Sequence, residues 1–142
     1  MADSSTSIVP LFGRVLMAVI FLISGLFKIA GYGQIVAYAA AKGLPLAGVA
    51  IACAAAVEIL GGLAVLVGFR VRIAAWVLFL YLIPTTFVFH RFWAVEGAVR
   101  QDNMVHFLKN LAIMGGLLVL AAYGGGAYSV DARADSKAPA AD

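Results

Sequence analysis

The sequence predicts an all-α integral membrane protein, folded as a bundle of four spanning helices. Of its 142 residues, 64% are hydrophobic and only 12% are charged, whereas a soluble domain carries roughly 25% charged residues to wet its surface. Four apolar runs each approach the ~20 residues of helix that cross a bilayer. The runs lack the alternation of barrel strands, and a chain of this length makes one domain. We therefore predict a single helical bundle in the membrane.

The elements follow in order along the chain. A tail at 1–8 precedes the four-helix domain at 9–123, whose spans we place at about 9–29, 46–67, 73–93 and 105–122. Pro10 stands where a helix start tolerates proline. The short GFRVR connection makes the second and third spans antiparallel neighbours. A Gly-Gly-Gly run ends the last span, and the polar tail at 124–142 is predicted to be disordered.

A short helix between the first two spans is also predicted. The segment from Gln34 to Lys42 is compatible with a helix but too short to cross the membrane. Its apolar residues Ile35, Tyr38 and Ala39 fall on one side, as in a helix that lies in the membrane interface.

The ionisable residues inside the apolar runs are the informative ones, because each costs several kcal/mol in hydrocarbon unless it is paired or hydrated. At 1.5 Å per residue, Arg14 lies ~22 Å and Glu58 ~18 Å below the surface where the loops between spans one and two emerge. We therefore predict a buried Arg14–Glu58 ion pair near mid-membrane. This pair either fixes helix register or takes part in proton or ligand transfer.

A second group of polar residues is predicted at the rim near that loop. It comprises Lys28, His90, His106, Lys109 and Asn110. The face that carries His106, Lys109 and Asn110 is the best candidate for binding a polar head group. Lys28 and His90 are further candidates for this ligand site, with the alternatives that Lys28 is a snorkelling anchor and His90 a solvated helix end.

Other site classes are excluded by what the sequence lacks. Cys53 is the single cysteine, so neither an intrachain disulfide nor a cysteine metal site can form. Two histidines without further ligands do not predict a metal or haem site, and no motif for a covalent cofactor is present. No basic run with interleaved aromatic residues indicates a nucleic-acid surface.

The motifs and their order resemble those of the DoxX family of small four-helix bacterial membrane proteins. The resemblance spans about Pro10 to Gly124 and rests on RVLMAVIFLISGLFKI, KGLP, EILGGLAVLVGFR, FVFHRFW and HFLKNLAIMGG. It implies a multi-pass protein of the bacterial inner membrane that is related to small subunits of quinone-linked oxidoreductase complexes. A quinone is then the implied ligand.

We therefore expect a small subunit or accessory protein of a membrane redox system. The chain has no self-contained catalytic motif, so its partners would be the bilayer and redox subunits or further copies of itself. The alternatives are a structural scaffold and a small-solute or proton pathway through Glu58. Four spans place both termini on one side, and the dense Arg70/Arg72 turn favours the cytoplasm.

Overall fold

Four membrane-spanning helices form the framework of the molecule. The computed structural model describes residues 8–136, and the four helices long and apolar enough to cross a membrane are α1 (Val9–Ala30), α3 (Ala47–Val67), α4 (Val71–Phe89) and α5 (Gly97–Tyr123). The shorter elements are α2 (Tyr32–Ala41), a 3-10 turn at Phe92–Ala94, and α6 (Val130–Asp135). Within residues 8–136 there is no strand, and the predicted all-α membrane bundle is confirmed.

The spans pack in the sequence α1–α3–α4–α5, with α1 lying closest along α3. Glycines permit this close approach, because a Cβ added at Gly25 of α1 would lie 2.6 Å from Cγ1 of Ile59 on α3. The apolar core between the four spans is formed by Ala18, Phe21, Val65, Ala74, Ala75, Leu78, Leu82, Met114, Leu117 and Ala121. Large apolar side chains such as Leu16 and Leu60 point outward from the bundle, as a lipid environment requires.

The short helix predicted between the first two spans is present as α2. It packs on the beginning of α3, where Ala39, Ala47 and Ile51 form a second buried cluster. The hydroxyl of Tyr32 donates a hydrogen bond of 2.8 Å to the carbonyl oxygen of Gly48. These contacts fix the start of α3 beyond the end of α1.

The last span begins earlier than predicted. α5 starts at Gly97 rather than near residue 105, because polar residues such as Arg100 and Asp102 continue the helix beyond its apolar part. Apolar periodicity marks only the part of a helix that contacts lipid or core. The helix therefore extends out of the bundle toward the loop that carries Trp93.

The predicted disorder of 124–142 is wrong for residues 124–136, whereas 137–142 lie outside the described residues. After α5 the chain turns back over the bundle, and Ser129 is only 2% exposed. The Asp131 carboxylate accepts hydrogen bonds from the backbone N–H groups of Arg70 (2.7 Å) and Val71 (2.9 Å) at the start of α4. Part of the segment's polar character therefore serves to cap helix ends.

Candidate functional site

Glu58 lies at the centre of a hydrogen-bond network between three spans. Lys28 Nζ forms an ion pair with it, at 2.8 Å from Oε2 and 3.0 Å from Oε1. Ser24 Oγ and Tyr81 Oη also donate to Oε1, over 3.1 Å and 2.8 Å. The carboxylate side chain is 5% exposed, so its charge is compensated inside the bundle by one cation and two hydroxyls.

The predicted Arg14–Glu58 ion pair is therefore wrong. Gly25 lies level with Glu58 instead, since an added Cβ there would lie 3.3 Å from Glu58 Cβ. Arg14 lies much nearer the other end of α1, against Gly68. The prediction assumed that the second span begins level with the end of the first, but α3 begins beyond it. Glu58 therefore lies about two helical turns nearer the loop end than the depth predicted from the sequence.

The ammonium group of Lys28 has no free hydrogen-bonding capacity. An ammonium donates three hydrogen bonds, and Lys28 Nζ donates to Ser24 Oγ at 2.8 Å as well as to both oxygens of Glu58. Lys28 was predicted to belong to the ligand-binding group at the rim. The structure brings it to the same cavity but commits its donors to the network.

A cavity of about 620 Å³ opens beside this network, between α1 and α5. Its walls are apolar side chains of α1, including Leu16, Ile20 and Phe27. The polar residues that line it are Ser24, Lys28, Glu58, Thr85, His90, Lys109 and Asn110. We call this cavity the loop-end crevice.

The crevice unites four of the five rim residues predicted from the sequence, and the fifth, His106, contacts two of them. The rings of His90 and His106 are stacked, with centroids 5.1 Å apart and planes inclined by 22°. Lys109 Nζ lies 3.0 Å from Nδ1 of His106. The predicted rim cluster is therefore a spatial cluster that joins the end of α4 to α5.

Asn110 has a structural contact that its position in the cluster did not suggest. It is 7% exposed, and its Nδ2 donates a hydrogen bond of 3.0 Å to Thr86 Oγ1 on α4. This buried pair holds α4 and α5 together behind the crevice. Among the rim residues, Lys109 and His90 retain polar atoms for a ligand, and Nδ1 of His90 is buried without a hydrogen-bond partner within residues 8–136.

Two members of the network, Ser24 and Tyr81, were not predicted. The members predicted from the apolar runs were ionisable side chains, and both of these are neutral. Ser24 was detectable because it lies four residues before Lys28, on the same helix face. Tyr81 carried the weaker signal of a hydroxyl in mid-span that must find a partner when it is buried.

Comparison with known proteins places these features in a family. The family model described as DoxX matches residues 9–91, which include the whole Glu58 network. The chain is 33% identical to the inner membrane protein YphA of Escherichia coli (strain K12) over 123 residues, which cover 87% of this chain and 88% of that protein. It is 39% identical to the inner membrane protein YqjF of the same strain over 127 residues, covering 89% of this chain and 92% of that one. The chain belongs to the DoxX family.

Membership in the DoxX family confirms the resemblance found in the motifs. Together with the four spans, the inner-membrane relatives identify the chain as a multi-pass protein of the inner membrane. A shorter similarity links the chain to the Surfeit locus protein 4 homolog of Schizosaccharomyces pombe (strain 972 / ATCC 24843). The two are 38% identical over 71 residues, which cover 49% of this chain and 24% of that protein. No solved structure matches the chain.

The DoxX family model covers only part of the residues that form the crevice and its rim. Its α1, α3 and α4 walls lie within residues 9–91, whereas His106, Lys109 and Asn110 on α5 lie beyond the match. The ion pair thus belongs to the part that the family model describes. The uncommitted cation, Lys109, is contributed by the helix outside it.

Proposed function

We propose that this DoxX protein binds the head group of a membrane quinone in the loop-end crevice, as a small subunit or accessory of a quinone-linked redox system. One observation carries the proposal: an apolar cavity between two spans is lined at one end by Lys109, whose ammonium has one contact, to His106, and by His90, whose Nδ1 has no hydrogen-bond partner within residues 8–136. A small-molecule site has this general form, mostly apolar with a few convergent polar groups.

The charges in the crevice favour a ligand that accepts hydrogen bonds. Glu58 is the carboxylate of the lining, and Lys28 neutralises it. Lys109 adds a positive charge, and its Nζ lies 3.0 Å from Nδ1 of His106. The crevice is therefore net positive, and the carbonyl oxygens of a quinone are suitable partners for Lys109 and His90.

Size and access also support a quinone. The volume of about 620 Å³ lies within the ~300–1,000 Å³ of small-molecule sites. Leu16, Val19 and Ile23 of α1 line the opening toward lipid, where an isoprenoid tail would continue into the bilayer. A bound quinone supplies two-electron, two-proton redox chemistry, and the protein's residues bind and orient its ring.

The electrons must be exchanged with a partner protein. The sequence contains one cysteine and no haem or flavin motif. The proposed role is therefore to hold quinone beside a redox subunit rather than to oxidise a substrate alone.

The proposal is tested by the binding of a short-chain ubiquinone analogue to the purified protein in mild detergent. We expect Lys109→Met to weaken binding roughly tenfold, because one hydrogen bond from a charged donor is lost. Lys42→Met is the matched control, since Lys42 also lies near the loop end but contacts the Tyr38 ring and does not line the crevice.

Two results would contradict the proposal. Wild-type protein that does not bind the analogue would instead favour the structural scaffold, which requires no ligand. Equal binding by the wild type and Lys109→Met would show that the quinone does not bind at Lys109 in the loop-end crevice. A pathway through Glu58 receives less support, because Glu58 is held by Lys28, Ser24 and Tyr81 in an arrangement suited to fixing helix register.

A further inference from the structure

Arg14 lies at the opposite end of the α1–α5 seam from the crevice and takes no part in the proposed function. It is 1% exposed, and its Nη2 donates a hydrogen bond of 2.5 Å to the carbonyl oxygen of Tyr128. Its Nε and Nη1 are buried and have no hydrogen-bond partner within residues 8–136. A buried guanidinium with two unused donors is costly unless a further acceptor reaches it.

Asp131, the carboxylate that attracts Arg14, already accepts hydrogen bonds from other groups. Asp131 attracts the guanidinium through space, but both of its oxygens accept hydrogen bonds from the first N–H groups of α4. The charge of Arg14 is thus only partly compensated by the described residues.

Arg14 lines a cavity of about 440 Å³ between α1 and α5, which we call the terminal groove. Its walls are almost wholly apolar and include Pro10, Met17, Val119 and Leu120. Gly13 borders the open space of the groove, since a Cβ added there would meet nothing within 4 Å. The side chain of Met17 also lines the groove and packs against Gly116.

A second cation lies at the edge of the groove. Gly124 belongs to the lining, and a Cβ at this glycine would lie 3.6 Å from Nε of Arg72. Arg72 itself donates to the carbonyl oxygens of Ala121 (3.2 Å) and Ala122 (2.5 Å) at the end of α5. No carboxylate is among the lining residues that the structure describes.

We propose that the terminal groove binds an acidic membrane phospholipid, with its phosphate at Arg14 and an acyl chain along the apolar wall between α1 and α5. An apolar groove that ends at a buried arginine and is flanked by a second one matches an anionic amphiphile. Arginine is well suited to phosphate because its planar group offers several donors in a fixed geometry. The phosphate oxygens supply an acceptor for the part of the guanidinium that lines the groove.

The experiment measures retained lipid by native mass spectrometry after the full chain is exchanged into mild detergent with equal amounts of phosphatidylglycerol and phosphatidylcholine. Wild type is expected to retain phosphatidylglycerol preferentially. Gly13→Val fills the groove without removing a charge and is expected to lower this retention roughly tenfold. Gly115→Val is the matched control, because a Cβ at Gly115 also meets nothing within 4 Å but Gly115 does not line the groove.

Arg14→Gln removes the charge but leaves the groove open, and it is expected to lose the preference for phosphatidylglycerol to the same extent. Should this variant fail to fold without its contact to Tyr128, the Gly13→Val comparison still decides the matter. Equal retention of both lipids by wild type, or unchanged retention in Gly13→Val, would overturn the proposal. Thermal stabilisation by inorganic phosphate equal to that by phosphatidylglycerol would also overturn it, because a free anion rather than a lipid would then be the ligand.

Discussion

At the scale of single residues, the apolar bundle contains two buried charges, Glu58 and Arg14, which the described residues compensate to different extents. Glu58 is surrounded by donors from two neighbouring helices, with Lys28 at 2.8 Å. Arg14 is placed at a helix end, where the carbonyl of Tyr128 reaches it. Charges in hydrocarbon require such partners, and the two arrangements are independent because they lie at different levels of α1.

The first prediction concerns the partner of Glu58. Lys28→Met leaves the carboxylate without its cation, and we expect the free energy of unfolding to fall by about 3 kcal/mol. Thermal unfolding in detergent, followed by the fluorescence of Trp76 and Trp93, measures the change. Lys42→Met is again the control and should leave unfolding nearly unchanged.

A double-mutant cycle distinguishes the observed pair from the one predicted by depth. The coupling energy between Lys28→Met and Glu58→Gln should be ~1 kcal/mol or more, whereas that between Arg14→Gln and Glu58→Gln should be near zero. A large coupling between Arg14 and Glu58 would contradict the structural register of α1 on α3.

At the scale of helices, close packing of α1 on α3 sets the level of the ion pair. Gly25 and Gly62 form the seam, and an added Cβ at Gly62 would lie 3.1 Å from Leu22. The sequence places the small residues Gly61 and Gly62 after Glu58, a pattern typical of a helix face that packs closely on another helix. It did not show the relative shift of the two helices, because that shift depends on how α2 packs against the start of α3.

Replacing glycine by alanine at two sites tests this seam. Gly25→Ala introduces a methyl group 2.6 Å from Ile59 Cγ1 and should destabilise the bundle by roughly 1–3 kcal/mol, as overpacking does. Gly115→Ala adds the same group facing open space on α5 and should be neutral or stabilising by up to ~1 kcal/mol. Equal effects at both sites in thermal unfolding would show that helix propensity, and not packing, dominates.

The chain after α5, at residues 124–136, is ordered although its composition predicts disorder. Composition alone predicted disorder, but the acceptors of Asp131 complete the start of α4, a tertiary contact that no local pattern reveals. Asp131→Asn removes the charge and one of two equivalent acceptors, and we expect a loss of about 1 kcal/mol together with faster proteolysis after Gly124. Asp135→Asn, at the exposed end of α6, is the control; similar proteolysis of both variants would contradict the capping role.

At the scale of the whole molecule, the four spans and the family were predictable because apolar length and motif order are local properties of the chain. The pairing of charges was not, since it depends on the offset between helices. The structure also brings the start of α1 and the chain after α5 together, because a Cβ at Gly126 would lie 2.7 Å from Pro10 Cβ. The basic residues Arg70 and Arg72 lie at this same end, beside α6.

The end that carries α6 should face the cytoplasm, because basic residues in short turns are retained on that side. The single cysteine allows a direct test: in a Cys53→Ser background, Ser136→Cys and Glu96→Cys place one thiol at each end of the bundle. A membrane-impermeant maleimide applied to intact cells should label Glu96→Cys, and should label Ser136→Cys only after the membrane is opened. The reverse pattern would place the Arg70/Arg72 turn outside, and labelling of both from outside would contradict the four-span arrangement itself.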